Sequence, residues 1–237
     1  MTNISENRNT GREVVLDTET TGLKIEDRVI ELGMIELQDK IPTGRTYHMF
    51  FNPDGTPVHP DALAVHGITN QFLEDKPTFG SQISAIFAFL QNDPIVAHNA
   101  SFDIRMINNE IKRCSSGQKL LPNEVIDTLK IAREKFPNAD NSLNGLCRRF
   151  KINLDRRNSE GHGALLDCEL LAECYEELTI GRNRRIMFDV PLERGNEYDH
   201  VTEIIAPKLK KDRGIGRPNT QELKRWQEFN RTCGFSN

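Results

Sequence analysis

The chain has 237 residues, 37% of them hydrophobic and 28% charged, which is typical of a globular protein with one domain and an appendage, or with two small domains. It contains no run of about 18 or more apolar residues, and residues 1–12 lack the apolar core of a signal peptide, so we expect a cytoplasmic protein without a membrane partner. Residues 1–180 are acidic, with 19 Lys and Arg against 27 Asp and Glu, and residues 181–237 are basic, with 12 against 8. The acidic character of residues 1–180 argues against a passive nucleic-acid-binding module. It is compatible with an enzyme that contacts phosphates through bound cations.

The first elements predicted along the chain are three strands. Residues 1–12 are expected to form a flexible lead-in, and residues 13–17 are a short apolar run that ends in an acid. Residues 28–37 and 45–51 have the pattern of two further strands, and the turn sequence at residues 52–55 closes the last one. Three strands in succession predict an antiparallel meander.

Helices dominate the sequence from residue 80 onward. Apolar spacing predicts helices at 80–91, 101–113, 127–136, 142–150 and 163–178, with a short strand at 93–98. Ser101 is the expected N-cap of the second helix, and Gly181 is the expected stop signal of the last. The order predicts an α/β domain over residues 13–180, in which helices flank a mixed sheet made of the meander and parallel strands. Residues 181–237 are expected to be a partly disordered appendage.

Asp17 and Glu19 stand two residues apart at the end of the first predicted strand. Residues i and i+2 of a strand point to the same face, so these carboxylates repel unless a cation lies between them. Asp167 and Glu169 repeat the spacing, but in a helix such residues diverge. A single Asp-x-Glu is most often a solvated strand end, and only the first pair forms a natural site for a hard cation such as Mg²⁺.

Two more acids and a histidine lie near the starts of later helices. Asp103 falls in a first helical turn, where an acid commonly offsets the helix dipole, and considered alone it needs no other explanation. Asp167 lies in a mainly apolar helix, where a buried carboxylate is costly without a partner. His162 precedes that helix in a Gly-flanked loop, from which it can act as a general base, although a single loop histidine is more often an exposed bystander.

The combination of these residues predicts two-metal phosphodiester hydrolysis. Two cations about 4 Å apart generate the nucleophile and stabilise the leaving oxygen. Four acids from three separate elements provide the oxygen ligands, and His162 would deprotonate the attacking water.

Three segments resemble the exonuclease motifs of the DEDDh family of 3′→5′ exonucleases: Asp17-Thr-Glu-Thr-Thr-Gly, His98-Asn-Ala-Ser-Phe-Asp103 and His162-Gly-Ala-Leu-Leu-Asp167. Residues 65–69 and 141–143 also resemble a subgroup of that family, the epsilon or proofreading subunits of bacterial DNA polymerase III. The resemblance covers about residues 13 to 180. It implies a ribonuclease-H-like fold, two Mg²⁺ or Mn²⁺ ions, and release of 5′-mononucleotides from a DNA 3′ end.

By position, the resemblance also implies roles for individual residues. The implied metal ligands are Asp17, Glu19, Asp103 and Asp167, and the implied general base is His162. The implied contacts to the terminal nucleotides come from Glu19, Asp61, His66, Leu23, Asn99, Phe102 and Asp167. Position 61 is Asp where the subgroup often has Glu. Ordinary core packing is an equal alternative for Leu23, Val65 and Phe102, and Asp127 is expected to cap a helix or to support the site.

The resemblance implies a DNA 3′ end, a polymerase III alpha subunit, a theta-like subunit and a sliding clamp as partners. Residues 181–237 are the expected tether: residues 183–188 faintly resemble a clamp-binding peptide without its usual Gln, and residues 222–229 form an expected docking helix. The alternatives are a stand-alone DNA repair exonuclease, an RNA-trimming nuclease of the same family and an inactive scaffold subunit. The catalytic residues do not separate DNA from RNA, whereas the complete set of acids argues against a scaffold.

Overall fold

The computed structural model describes residues 11–114 and 121–180. Its five strands are β1 (Arg12–Thr20), β2 (Val29–Gln38), β3 (Ile41–Phe50), β4 (Ile95–Ala97) and β5 (Val125–Asp127). They form one sheet in the order β3-β2-β1-β4-β5. Strands β1, β2 and β3 pair antiparallel, and β4 and β5 run parallel to β1. A mixed sheet of this type was expected from the sequence, but β5 was not predicted.

Eight helices surround the sheet within the described residues: α1 (Pro60–His66), α2 (Asn70–Leu73), α3 (Phe79–Leu90), α4 (Ser101–Arg113), α5 (Thr128–Lys135), α6 (Leu143–Phe150), α7 (Asp155–Glu160) and α8 (Ala164–Thr179). The five predicted helices correspond to α3, α4, α5, α6 and α8, with ends that agree to within about one residue. Asp127 caps α5, as expected, because its carboxylate accepts the Leu129 N–H at 3.0 Å.

Two expectations about element ends were wrong. Ser101 is not the N-cap of α4; Ala100 is, and no side chain caps this end. The chain turns one residue earlier than expected, at Asn99, whose φ of 65° is left-handed. Arg12 does not belong to a flexible lead-in, because it begins β1 and its guanidinium binds Glu36 Oε2 at 2.6 Å.

Strand β1 separates two hydrophobic clusters. Val14 and Leu16 point to the cluster that contains α3 and α4, and Val15 points to the cluster that contains α6 and α8. Because side chains alternate along a strand, Asp17 and Glu19 continue the α8 face. Thr18 continues the α4 face. The end of β1 therefore offers polar groups to helices on both sides of the sheet.

Helix α8 approaches the sheet closely at Gly33. This glycine lies opposite Asp17 in the β1–β2 register, and a Cβ atom added to it would lie 2.5 Å from the carbonyl carbon of Ala164. The Cys168 thiol donates to the Gly33 carbonyl at 3.3 Å, one turn further along the helix. The missing side chain thus lets the first turns of α8, with Asp167, lie over β1.

No helix in residues 11–114 and 121–180 is long and apolar enough to cross a membrane. The predicted lead-in up to residue 10, the stop signal at Gly181 and the predicted tether in residues 181–237 lie outside the described residues.

Candidate active site

The end of β1 holds the predicted acid pair in an environment that disfavours negative charge. Burial, followed by the nearby carboxylates of Asp103, Asp167 and Glu19, raises the pKa of Asp17 well above its ordinary value. Burial and the carboxylates of Asp167, Glu31 and Asp103 raise the pKa of Glu19 to about 8. Asp17 and Glu19 therefore lie in the electrostatic field of the other predicted metal ligands, which disfavours their charged forms.

Helix α4 brings Asp103 to this site from the other side of the sheet. Its Oδ1 atom accepts hydrogen bonds from the Thr18 backbone N–H at 3.1 Å and from the Thr18 hydroxyl at 2.7 Å. Burial outweighs these bonds and raises the pKa of Asp103 to about 7. Thr18, between the two acids of the pair, thus fixes the third acid beside them.

Helix α8 and the loop before it supply the remaining predicted residues. One ligand atom each from Glu19, His162 and Asp167 lie within 4.8 Å of one another. Asp167 is buried, and its Oδ2 atom accepts a hydrogen bond from Nη2 of Arg157 at 2.7 Å. His162 Nδ1 lies 3.5 Å from the same oxygen. Glu169 points away and pairs with Arg156 at the surface, so the two acids diverge as helix geometry predicts.

The donor set fits divalent cations. Asp167 Oδ1 is buried and has no hydrogen-bond partner among the described residues. A buried carboxylate oxygen without a partner is costly, and two neighbouring carboxyls already have pKa values of about 8 and about 7. Divalent cations bound by these oxygens would supply the missing positive charge.

A cleft of about 410 Å³ opens beside Glu19. Residues from three predicted segments line it: Thr18, Glu19, Thr20, Gly22, Leu23, Lys24, Asp27, His59, Asp61, Ala62, Val65, His66 and Phe102. Leu23 and Val65 are 77% and 50% exposed, so the core-packing alternative does not hold for them. Phe102 is half-buried and packs against the α3–α4 cluster while it lines the cleft.

The other predicted substrate contacts lie at different depths. His66 is buried at the cleft wall; its Nδ1 atom accepts the Ile68 N–H at 3.0 Å, and its Nε2 atom lies 3.3 Å from the Thr20 carbonyl. Asp61 lies at the rim, with a side chain that is 95% exposed. Asn99 is exposed and does not contribute to the lining of this cleft.

Three residues of the site were missed from the sequence. Arg157 contacts Asp167 and His162. Glu31 lies opposite Glu19 in the sheet, is buried, and lies 2.7 Å from Nε2 of His48. Glu31 could have been found from the sequence, because it is an acid among the apolar residues of a predicted strand. The spacing of residues in the sequence does not indicate Arg157 or His48.

Known exonucleases match most of the chain. A family described as Exonuclease matches residues 14–175. The DNA polymerase III subunit epsilon of Rickettsia felis is 39% identical over 223 residues, which are 92% of this chain and 95% of that protein. The DNA polymerase III subunit epsilon of Escherichia coli is 38% identical over 182 residues, 72% of each chain. The solved structure of exonuclease X in complex with 5′-overhanging duplex DNA is 28% identical, with a TM-score of 0.56, over 70% of this chain and 90% of that chain.

These matches confirm the resemblance stated from the motifs and the ribonuclease-H-like exonuclease fold. Exonucleases of this kind generally use divalent metal ions. The chain belongs to the exonuclease family and, within it, to the group of the DNA polymerase III epsilon subunits.

Proposed function

We propose that this protein is a 3′→5′ exonuclease that removes nucleotides from DNA 3′ ends as the proofreading subunit of a DNA polymerase III. The observation that carries the proposal is the convergence of Asp17, Glu19, Asp103 and Asp167 on one buried site beside His162. The names and coverage of the relatives support the assignment to replication.

In this proposal the four acids hold two divalent cations, Mg²⁺ or Mn²⁺, which would activate water and neutralise charge on the scissile phosphate. Strand β1 positions the side chains of Asp17 and Glu19. The Thr18 hydroxyl positions Asp103 by donating a hydrogen bond to its carboxylate. His162 accepts the proton of the attacking water. Asp167, with an oxygen within 4.8 Å of ligand atoms of Glu19 and His162, would bind a cation beside the general base.

The cleft beside Glu19 is the proposed site of the terminal nucleotide. The exposed side chains of Leu23 and Val65 and the ring of Phe102 provide apolar surface on which a base can stack. Asp61 and His66 are proposed to contact the terminal nucleotide, and Asn99 is proposed to contact the bases that precede it.

Nuclease assays on the full-length chain test this function. The substrates are 5′-labelled single-stranded DNA, matched and mismatched primer-templates, and RNA, each with Mg²⁺ or Mn²⁺. We expect release of mononucleotides from DNA, faster from the mismatched than from the matched primer, and no release by the Asp17→Ala/Glu19→Ala variant. Failure to trim DNA would favour an inactive scaffold subunit, and faster trimming of RNA would favour the RNA-processing alternative.

We propose the alpha subunit, a theta-like subunit and the sliding clamp as protein partners, with residues 181–237 as the tether. Co-purification of the alpha subunit with the full chain and with a chain that ends at residue 181 tests the tether. We expect recovery only with the full chain, and equal recovery would refute it.

A further inference from the structure

We propose that Arg157 is a displaceable counter-ion of the cation site, which pairs with Asp167 and His162 in the cation-free protein and leaves both when divalent cations bind. The inference rests on the proposed function, since it assumes that the four acids bind cations. It assigns a positioning role to a residue outside the three motifs.

One guanidinium nitrogen makes both contacts. Nη2 of Arg157 lies 2.7 Å from Asp167 Oδ2 and 2.8 Å from His162 Nδ1, and Nη1 donates to Asn144 Oδ1. Arg157 is 8% exposed. Within residues 11–114 and 121–180, it is the only arginine or lysine that is buried.

The charge around Arg157 explains why it lies there. Its positive charge lowers the pKa of Asp17 and of Glu19, against the other causes that raise them. A lone buried cation among four carboxylates relieves part of their repulsion. Asp167 Oδ1 has no hydrogen-bond partner in the described part of the chain, so this oxygen is available to a cation at once, whereas Oδ2 becomes available only when Arg157 leaves.

Divalent cations and Arg157 compete for the same ligand. Two like charges brought to one carboxylate repel strongly where water is excluded. A bound dication replaces the positive charge that Arg157 supplies. The carboxylates then attract the guanidinium less strongly, so its burial is no longer stabilised. Cation binding and departure of Arg157 are therefore coupled.

The same exchange releases His162. A neutral histidine whose Nδ1 accepts a hydrogen bond carries its proton on Nε2, so neither nitrogen is free to take a proton from water. When Arg157 leaves, the lone pair on Nδ1 of His162 is no longer engaged in a hydrogen bond. Gly161, with a φ of 85°, precedes His162 and allows a backbone conformation that other residues adopt rarely. The base thus becomes competent only after the site has bound cations.

Direct Mn²⁺ binding to the full-length chain, without DNA, tests the competition. Free Mn²⁺ is measured by its electron paramagnetic resonance signal during titration of the wild type, Arg157→Gln, Arg157→Lys and Arg156→Gln. Arg156 is the matched control, because it is an exposed arginine on the same helix and pairs with Glu169. We expect Arg157→Gln to lower the Mn²⁺ midpoint about fivefold or more and the control to stay within about twofold of wild type. Arg157→Lys keeps the positive charge, so its midpoint should lie closer to wild type than that of Arg157→Gln.

Binding by Arg157→Gln that is equal to wild type or weaker overturns the inference while leaving the proposed function intact. If the wild type itself binds no Mn²⁺, the proposed function fails and the inference fails with it.

If Arg157→Gln does not fold, nitrogen-15 NMR of the wild-type arginine side chains gives the answer. The Arg157 guanidinium signals should be protected from exchange in EDTA and lose that protection with Mg²⁺. Arg28, whose guanidinium pairs with buried Glu110 at 2.7 Å, is the internal control and should stay protected. Continued protection of Arg157 at saturating Mg²⁺ overturns the inference.

Discussion

Glu19 illustrates how the site behaves without its cations. Burial and three neighbouring acids raise its pKa to about 8, from an ordinary value of 4.5. An acid whose pKa is higher in the folded than in the unfolded chain takes up a proton on folding. The Glu19 carboxyl therefore stabilises the folded state at low pH, and this stabilisation is lost as the pH rises from about 4.5 towards about 8.

We expect the melting temperature of the wild type in EDTA to fall as the pH rises from about 5 to about 8. Glu19→Gln cannot ionise, so its decline should be shallower by about 3 °C over this range. Glu26→Gln, which changes an exposed glutamate, is the control and should decline like the wild type. Thermal denaturation followed by circular dichroism makes the measurement, and parallel curves for wild type and Glu19→Gln would contradict the argument. Saturating Mg²⁺ should flatten the wild-type curve.

His162→Gln should separate catalysis from cation binding. Loss of the general base is expected to lower kcat about 10²- to 10⁴-fold, while the midpoint of Mn²⁺ binding stays within about threefold of wild type because the four acids remain. Single-turnover cleavage of labelled DNA gives the rate, and Mn²⁺ titration gives the affinity. A fall in kcat of less than about tenfold would remove His162 from the role of general base.

Only the pair of Asp17 and Glu19 follows a local rule, that of strand geometry, whereas Asp103 and Asp167 were singled out by their combination with His162 and by the motif resemblance. Strand periodicity selected Asp17 and Glu19, and the structure places them on the face that α8 covers. Arg157 obeys no such rule: its role depends on a contact with Asp167, ten residues away on another helix. Such contacts depend on the path of the loop between the helices, which residue spacing does not determine.

At the scale of elements, the site depends on how closely α8 lies against β2. Gly33→Ala adds a methyl group that would lie 2.5 Å from the Ala164 backbone, so we expect it to lower the free energy of unfolding by about 1–3 kcal/mol. It should also displace Asp167 and reduce kcat. Gly80→Ala is the control, because its methyl group meets only the Cys114 side chain, at 2.9 Å. Urea denaturation and nuclease assays measure both effects, and a Gly33→Ala protein that matches Gly80→Ala in both would refute the role of this contact.

Sequence patterns predicted the long elements and the short strand β4 but missed the other short elements, including β5. Helices α1, α2 and α7 contain seven, four and six residues, which is too few for an apolar period to be recognised. The start of β3 was also missed: the strand begins at Ile41, whereas the pattern begins at Arg45. Pro42 and Gly44 interrupt the pattern there, and most side chains of β3 are exposed at the edge of the sheet, where alternation is weak.

At the scale of the molecule, the acidic body determines how DNA is held. Residues 1–180 carry eight more acids than bases, so we expect most phosphate contacts to pass through cations. With His162→Gln and labelled single-stranded DNA, fluorescence anisotropy should show affinity falling more than about tenfold when EDTA replaces Mg²⁺ at constant ionic strength. The slope of log K against log salt concentration should be smaller in magnitude than about 2. Tight binding in EDTA with a steep slope would indicate direct contacts from Lys and Arg instead.

The position of α8 against the first two strands has a consequence for protein synthesis. The site joins acids of β1, the first described strand, with Asp167 of the last described helix. A nascent chain therefore carries two of the four proposed cation ligands until α4 emerges with Asp103, and three until α8 emerges with Asp167. We expect nuclease activity only when α8 has packed on the sheet. We expect chains that are truncated before α8 to lack nuclease activity, so that premature termination would yield an inert fragment instead of an unregulated nuclease.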